Sequence, residues 1–143
     1  MFLENEDLLK IVIYYKKVGR HYQTLNEATF EKSDLTDEEK ATFEKLTIKA
    51  RPLTWGLYND LQESAMVPDQ FGNRKWNYKV YKENKLREII AKWDAKIKND
   101  EGEMVNAPVN PNTISKMSPD VAEVILNTYD QMTLIDEEEE KKS

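Results

Sequence analysis

Residues 8–15 of the chain read LLKIVIYY, a run of β-branched and aromatic side chains. Such side chains favour a strand, although the acidic residues just before this stretch could equally start a short helix. Residues 46–50, LTIKA, alternate apolar and polar side chains with a period of two, which is typical of a half-buried strand. We expect the two stretches to pair antiparallel. Because two strands alone are marginal in water, they should pack on helices.

Three capping signals predict helices along the rest of the chain. Residues 36–39, TDEE, form a capping box before a short helix that should end near Lys45. Thr54 is placed to cap a helix over residues 55–66. Residues 118–120, SPD, put a serine cap before a proline in the first helical turn. This last helix should carry an apolar stripe of Val121, Ile125, Thr128, Tyr129 and Met132.

The remaining segments have less regular patterns. Residues 75–98 place apolar side chains near one stripe with lysines elsewhere, which predicts the longest helix. Residues 20–33 are polar with scattered aromatic residues and are predicted to be irregular. Residues 67–74 contain proline, glycine and asparagine and predict a loop. Residues 104–112 should be extended, and 111–117 have room for one helical turn.

These patterns together predict a mainly α fold of the α+β class. A small two-stranded antiparallel element near the N-terminus should pack on an irregular bundle of three to four helices. We expect a single globular domain over residues 1–135, since a domain usually holds about 100–200 residues. Residues 136–143, DEEEEKKS, are a run of like charges followed by two lysines, and they predict an acidic, flexible tail.

The composition of the chain excludes several classes of function. It contains no cysteine, which rules out disulfides, thiolate metal sites and a cysteine nucleophile. Its net charge of −6 argues against the coating of nucleic acid, which requires a positive field. No apolar run approaches the roughly 18 residues of a membrane span, and the first ten residues carry acids where a signal peptide needs bases. We therefore expect an intracellular protein that does not bind membranes.

The titratable residues show no pattern typical of catalysis. His21 is the only histidine and has no serine or acid at a catalytic spacing, so a surface position is the simpler interpretation. Asp94, beside Trp93, is the one acid within an apolar run, and we interpret it as an exposed helix residue. Residues 99–103, NDEGE, lack the alternating ligand spacing of a calcium loop and predict a plain turn. We expect no catalytic residue, no metal and no cofactor.

The segment 75–98 is also the most basic part of the chain, with eight basic side chains against three acids and aromatic residues between them. Aromatic rings amid positive charge are typical of proteins that bind single-stranded nucleic acid. The same rings can equally anchor a core, and lysines are the normal solvent face of an amphipathic helix. Nucleic acid is therefore not the partner that we expect.

From about residue 46 to its end, the chain resembles the tail assembly chaperones of tailed bacteriophages. The resemblance rests on residues 51–56, RPLTWG, after a strand, and on the pair Trp93-Asp94 near the predicted end of a helix. A glycine turn at 100–102, an extended VNPN segment at 109–112, a serine-proline helix start and an acidic tail then follow in the order seen in the family.

The resemblance implies a non-enzymatic protein of the host cell cytoplasm. Such chaperones bind the tape measure protein, keep it soluble and recruit tail tube subunits around it. The expected partners are thus the tape measure protein and the tail tube protein, and self-association is also open. We expect the partner to contact apolar helix faces, through Trp93, Val121, Ile125, Tyr129 and Met132.

Two other functions are left open by the sequence. A virion structural component, such as a baseplate or head-tail connector protein, would be retained in purified particles, from which a chaperone should be absent. An accessory nucleic-acid-binding protein would use the basic helix predicted over 75–98 and would lose affinity steeply with added salt.

Overall fold

In the computed structural model, which describes residues 1–4 and 7–133, helices pack on a four-stranded β-sheet. In chain order the elements are β1 (Leu9–Val18), β2 (His21–Asn26), α1 (Glu27–Glu31), α2 (Asp37–Lys40), β3 (Glu44–Ala50), α3 (Trp55–Ser64), β4 (Met66–Pro68), β5 (Arg74–Trp76), α4 (Tyr78–Ile89), β6 (Ile90–Trp93), β7 (Lys96–Lys98), β8 (Met104–Asn106), α5 (Pro111–Ser115) and α6 (Pro119–Thr133). The four-stranded sheet is antiparallel with the spatial order β2-β1-β3-β6, and β4-β5 and β7-β8 are separate two-stranded hairpins.

The predicted pairing of the two apolar stretches is confirmed by the register of β1 and β3. Ile11 lies opposite Ile48, and Leu9 lies opposite Ala50, in an antiparallel arrangement. Alternate residues of β3 are buried, as expected for a strand with one face against a core, whereas the consecutive residues Ile11, Val12 and Ile13 of β1 are all buried. Residues 8–15 therefore contribute to a strand, and the alternative of a short helix is excluded.

The predicted fold class is wrong, because the described residues are about 39% helix and 30% strand and are not mainly helical. The two-stranded element is half of a four-stranded sheet, and the helices pack on that sheet rather than forming an irregular bundle. The prediction missed β2 and β6. Strand β2 pairs with β1 across a tight turn, where Gly19 has a φ of +64° that favours glycine.

Strand β6 lies where the sequence predicts the second half of the longest helix. Helix α4 ends at Ile89, and the chain then extends so that Ile90 lies opposite Ala50 and Trp93 lies opposite Ile48. Arg51 stabilises this break: its Nη1 donates hydrogen bonds to the carbonyls of Glu88 at 2.8 Å and Ile90 at 3.0 Å. Pairing with β3 and this capping override the helical periodicity of the segment.

One hydrophobic core joins the sheet to three of the helices. Its strand residues come from one face of β1, β3 and β6, and its helix residues come from α4, α5 and α6. The buried members are Ile11, Ile13, Leu46, Ile48, Ala50, Leu86, Ile89, Ile90, Ile114, Val121, Ile125, Leu126 and Tyr129. Helices α4 and α6 are thus fixed side by side on the sheet, which leaves their outer faces and helix α3 toward the surface.

The three capping signals correctly predicted the starts of α2, α3 and α6, whereas α4 begins at Tyr78 rather than at residue 75. Thr36 Oγ1 accepts a hydrogen bond from the Glu39 amide at 3.1 Å, and the Glu39 carboxylate accepts one from the Thr36 amide, which is the predicted capping box. Thr54 caps α3, and α6 begins at Pro119 as predicted. Helix α2 ends at Lys40 rather than near Lys45, because a turn over residues 41–43 leads into β3, which already begins at Glu44.

The other loop predictions have mixed outcomes. Residues 67–74, predicted as a loop, are the greater part of the β4-β5 hairpin, and α1 lies inside the segment predicted to be irregular. Residues 104–112 are extended up to the helical turn α5, as predicted. The predicted acidic tail, 136–143, lies outside the described residues. Among the residues that are described, no helix is both long and apolar enough to cross a membrane.

Candidate partner-binding surface

Three of the five predicted partner-binding residues belong to the core. Val121, Ile125 and Tyr129 of α6 are buried against the sheet and the other helices. The Tyr129 hydroxyl donates a hydrogen bond to the Arg51 carbonyl at 2.8 Å, and burial raises the pKa of this phenol. Their apolar stripe therefore holds the fold together, and a partner could contact these side chains only if the core opened.

The other two predicted residues lie at different places. Trp93 is half-buried, donates from Nε1 to the Ala107 carbonyl at 2.8 Å, and shares with Val121 the lining of a cavity of about 220 Å³. Met132 is exposed and lies about 16 Å further along α6 than Val121, given the rise of a helix. The structure thus brings Trp93 and Val121 together but does not gather all five residues into one surface.

Four exposed aromatic residues form a surface that the prediction missed, and we call it the aromatic surface: Trp55 and Tyr58 of α3, Trp76 of β5, and Tyr78 of α4. Trp55 is 77% exposed and stacks on Tyr58, with the ring centroids 5.9 Å apart. Trp76 and Tyr78 form the second pair, at 5.8 Å, and Tyr78 is 59% exposed. Large aromatic rings in water are unusual on a monomer surface and mark a contact site when they are grouped.

A groove of about 270 Å³ lies between α3, α4 and α6, and one tyrosine of each aromatic pair, Tyr58 and Tyr78, lines it, whereas Trp55 and Trp76 are not part of its lining. Leu53, Tyr81 and Leu126 add apolar surface to this lining. The polar and charged lining residues are Gln62, Lys82, Lys85, Glu123, Asn127 and Asp130. A groove that combines aromatic and aliphatic side chains with charged ones can receive one face of an amphipathic helix.

Two ion pairs cross the groove from α4 to α6. Lys82 Nζ lies 2.6 Å from Glu123 Oε1, and this hydrogen bond raises the pKa of the lysine. Lys85 bonds Asp130 Oδ1 and lies over the rings of Tyr81 and Tyr129, with Nζ 5.3 Å and 5.6 Å from the ring centroids. The lysines of α4 that reach this groove are therefore engaged within the protein.

Two residues of the RPLTWG motif, Arg51 and Thr54, stabilise the fold through hydrogen bonds, whereas Trp55 is exposed. Arg51 caps the end of α4, and Thr54 Oγ1 accepts from the Leu57 amide at 3.1 Å at the start of α3. Trp55 has no such internal role and points its ring to solvent. A signal for this was present in the sequence, because Trp55 lies outside the apolar stripe of its own helix.

The residues considered for catalysis have structural or surface roles. His21 is an exposed side chain whose Nδ1 lies 3.7 Å from Asp120 Oδ2. Asp94 is not on a helix: it follows β6, and its Oδ1 accepts a hydrogen bond from the Thr47 amide at 2.8 Å. The prediction placed it wrongly because it extended α4 too far. Asn99 Oδ1 accepts the amides of Glu101 and Glu103, so this segment is a hairpin turn, as predicted.

No group of three or more histidine, aspartate or glutamate side chains within residues 1–4 and 7–133 is arranged to hold a metal ion.

Tyr15 gives a spectroscopic test of the cavity that it lines with Trp93. The pKa of Tyr15 is raised to about 12, mainly by burial of the phenol and to a lesser extent by its hydrogen bond to the Glu44 carboxylate. Because the folded state holds this proton more tightly than the unfolded state, the stabilising effect is complete below pH 10 and is lost as the pH rises toward 12. Absorbance at 295 nm should show a tyrosine ionising near pH 12, and Tyr15→Phe should remove that signal. An unchanged titration of the variant would contradict this environment.

Comparison of the chain with protein-family models, with curated proteins and with solved structures found no match. The function is therefore inferred from the aromatic surface, the groove and the motif resemblance.

Proposed function

We propose that this protein is a non-enzymatic tail assembly chaperone of a tailed bacteriophage. It acts in the host cell cytoplasm, where it binds apolar helical segments of the tape measure protein and promotes the assembly of tail tube subunits around them. The observation that carries this proposal is the aromatic surface: two exposed aromatic pairs flank an open groove between three helices. The RPLTWG motif, which carries the family resemblance, contributes Trp55 to that surface.

The chemistry of the aromatic surface suits a reversible contact with a helix. Trp and Tyr dominate the binding energy of protein interfaces, because their rings bury a large area with few rotatable bonds. A tape measure protein is a long helical chain with apolar faces, which aggregate unless they are covered. A micromolar contact is worth about 8 kcal/mol, so a bound copy can leave when tube subunits replace it.

The charge of the chain supports the same function. Each copy carries a net charge of −6. Copies arrayed along one tape measure chain would repel neighbouring complexes, which keeps the covered chain in solution.

The experiment that tests the proposal is co-expression of the full chain with successive segments of the tape measure protein from the same phage. We expect at least one helical segment to be retained, with a Kd that isothermal titration calorimetry can measure. Trp55→Ala should weaken that Kd about thirtyfold, since central aromatic residues of an interface contribute about 2 kcal/mol or more. The variant should keep its stability within about 0.5 kcal/mol, because Trp55 is exposed.

Phe71→Ala is the matched control for this experiment. Phe71 is 78% exposed, in the turn of the β4-β5 hairpin, and belongs neither to the aromatic surface nor to the lining of the groove. Its replacement should leave the Kd within about twofold. If no tape measure segment binds, or if Trp55→Ala binds as well as the parent chain, the proposal is wrong. Recovery of the protein in purified particles would instead favour a virion structural component.

A further inference from the structure

Two lysines and two acids border the groove, but the acids are more exposed to solvent than the lysines. The two lysines are withdrawn: the Lys82 and Lys85 side chains are only 30% and 4% exposed. Their partners face solvent, since the Glu123 and Asp130 side chains are 49% and 40% exposed. Each carboxylate binds its lysine through one oxygen, Oε1 of Glu123 and Oδ1 of Asp130, and a carboxylate can accept hydrogen bonds at both oxygens.

These two carboxylates belong to one face of α6. Glu123, Asn127 and Asp130 are spaced by four and three residues, so they lie one above the other along the helix, and all three line the groove. The outer two are about 10 Å apart, given the rise of a helix. A partner helix lying along α6 would contact these three polar side chains, which we call the acidic rim, over a length of about two helical turns.

The exposed basic residues of α4 do not offset this rim. Lys79 and Arg87 line a second groove, between α4, α5 and the start of α6, and do not line the groove between α3, α4 and α6. Lys82 lies between the two grooves and is held by Glu123, with its Nζ also 4.9 Å from the centroid of the Tyr78 ring. A partner in the α3–α4–α6 groove thus meets aromatic rings on one side and carboxylate oxygens on the other.

We infer that this groove selects a basic amphipathic helix: one that places aliphatic side chains against Tyr58 and Tyr78 and lysine or arginine side chains, about two turns apart, against Glu123 and Asp130. The inference rests on the proposed function, whose partner helix it describes chemically. The apolar contact supplies most of the affinity, and the basic side chains supply selectivity. Pairs at such a solvent-exposed rim are individually modest and are weakened by salt.

Three designed helical peptides test this selectivity with the full chain. All three carry the same leucine and isoleucine face, and two positions flanking that face, seven residues apart, are both lysine, both glutamine or both glutamate. Fluorescence anisotropy of labelled peptides at low salt should give Kd values in the order lysine, glutamine, glutamate. We expect about a tenfold difference between the first and the last, and this difference should shrink at 0.5 M salt.

Asn127→Lys provides the reciprocal variant, because Asn127 is exposed on α6 between the two acids and has no place in the core. It should remove or reverse the preference for the lysine peptide over the glutamate peptide. Phe71→Ala should preserve the original order. Equal binding of the three peptides, or tighter binding of the glutamate peptide, would overturn this inference and leave the proposed function standing. Failure of every peptide to bind up to millimolar concentration would overturn both.

Discussion

Asp130→Asn is expected to lower the free energy of unfolding by about 2–3 kcal/mol. The substitution removes the negative charge that pairs with Lys85, and Lys85 is only 3% exposed. A buried charge that loses its partner strongly destabilises the folded state. The Tyr81 hydroxyl, 3.4 Å from the ammonium, and the two tyrosine rings around it compensate for only part of this loss. Urea-induced unfolding followed by circular dichroism measures the change.

Lys85→Met is the matched substitution on the other side of the same pair. It removes the buried cation and leaves a methionine of similar length, while the Asp130 carboxylate is exposed enough to be hydrated. We therefore expect a cost of at most about 1 kcal/mol, because an apolar replacement of a buried charge is often close to neutral. Equal costs for the two variants, or a larger cost for Lys85→Met, would contradict the asymmetric burial of the pair.

Ile48→Ala is expected to be the most destabilising single substitution in the sheet, with a loss of about 3–4 kcal/mol. Ile48 lies at the centre of β3, between β1 and β6, and its side chain is fully buried. Truncation removes buried methyl groups and leaves a cavity that a close-packed core cannot fill completely. The unfolding midpoint in urea should fall with little change in the slope of the transition.

Val18→Ala is the control for this second prediction, because it removes a β-branched side chain from the exposed end of β1. Its cost should stay within about 0.5 kcal/mol. If Ile48→Ala does not fold, Ile48→Val provides a milder change, expected to cost about 1 kcal/mol. A cost of less than 1 kcal/mol for Ile48→Ala would mean that β3 is not the central strand.

Local signals in the sequence predict the starts of α2, α3 and α6 and one strand pair, and long-range pairing explains the strands that the prediction missed. The Thr36 box, the Thr54 cap and the serine-proline start of α6 work within four residues, so they can be identified directly in the sequence. Strands β2 and β6 depend on neighbours far along the chain. Strand β2 is polar, and only its pairing with β1 shows that it is a strand. Strand β6 continues the apolar spacing of α4, which also fits a helix, and only its pairing with β3 shows that it is extended.

The proposed partner-binding surface is harder to predict from the sequence than the fold. The stripe of α6 was identified correctly as apolar, but periodicity cannot distinguish a face that packs on a sheet from one left for a partner. The groove combines side chains from α3, α4 and α6, which only the tertiary structure brings together. Trp55 was the residue of this surface that the sequence could have revealed. Its ring lies outside the apolar stripe of α3, so it cannot belong to the buried face of that helix.

Arg51 gives the groove a property that matters before any partner arrives. Its guanidinium holds the end of α4, its carbonyl accepts the hydroxyl of Tyr129 on α6, and it lies three residues before the cap of α3. The three walls are thus tied to one another through a single residue. The proposed binding groove is therefore preorganised. A helix that bound there would lose less conformational entropy on association than one that bound to a groove that had to assemble around it.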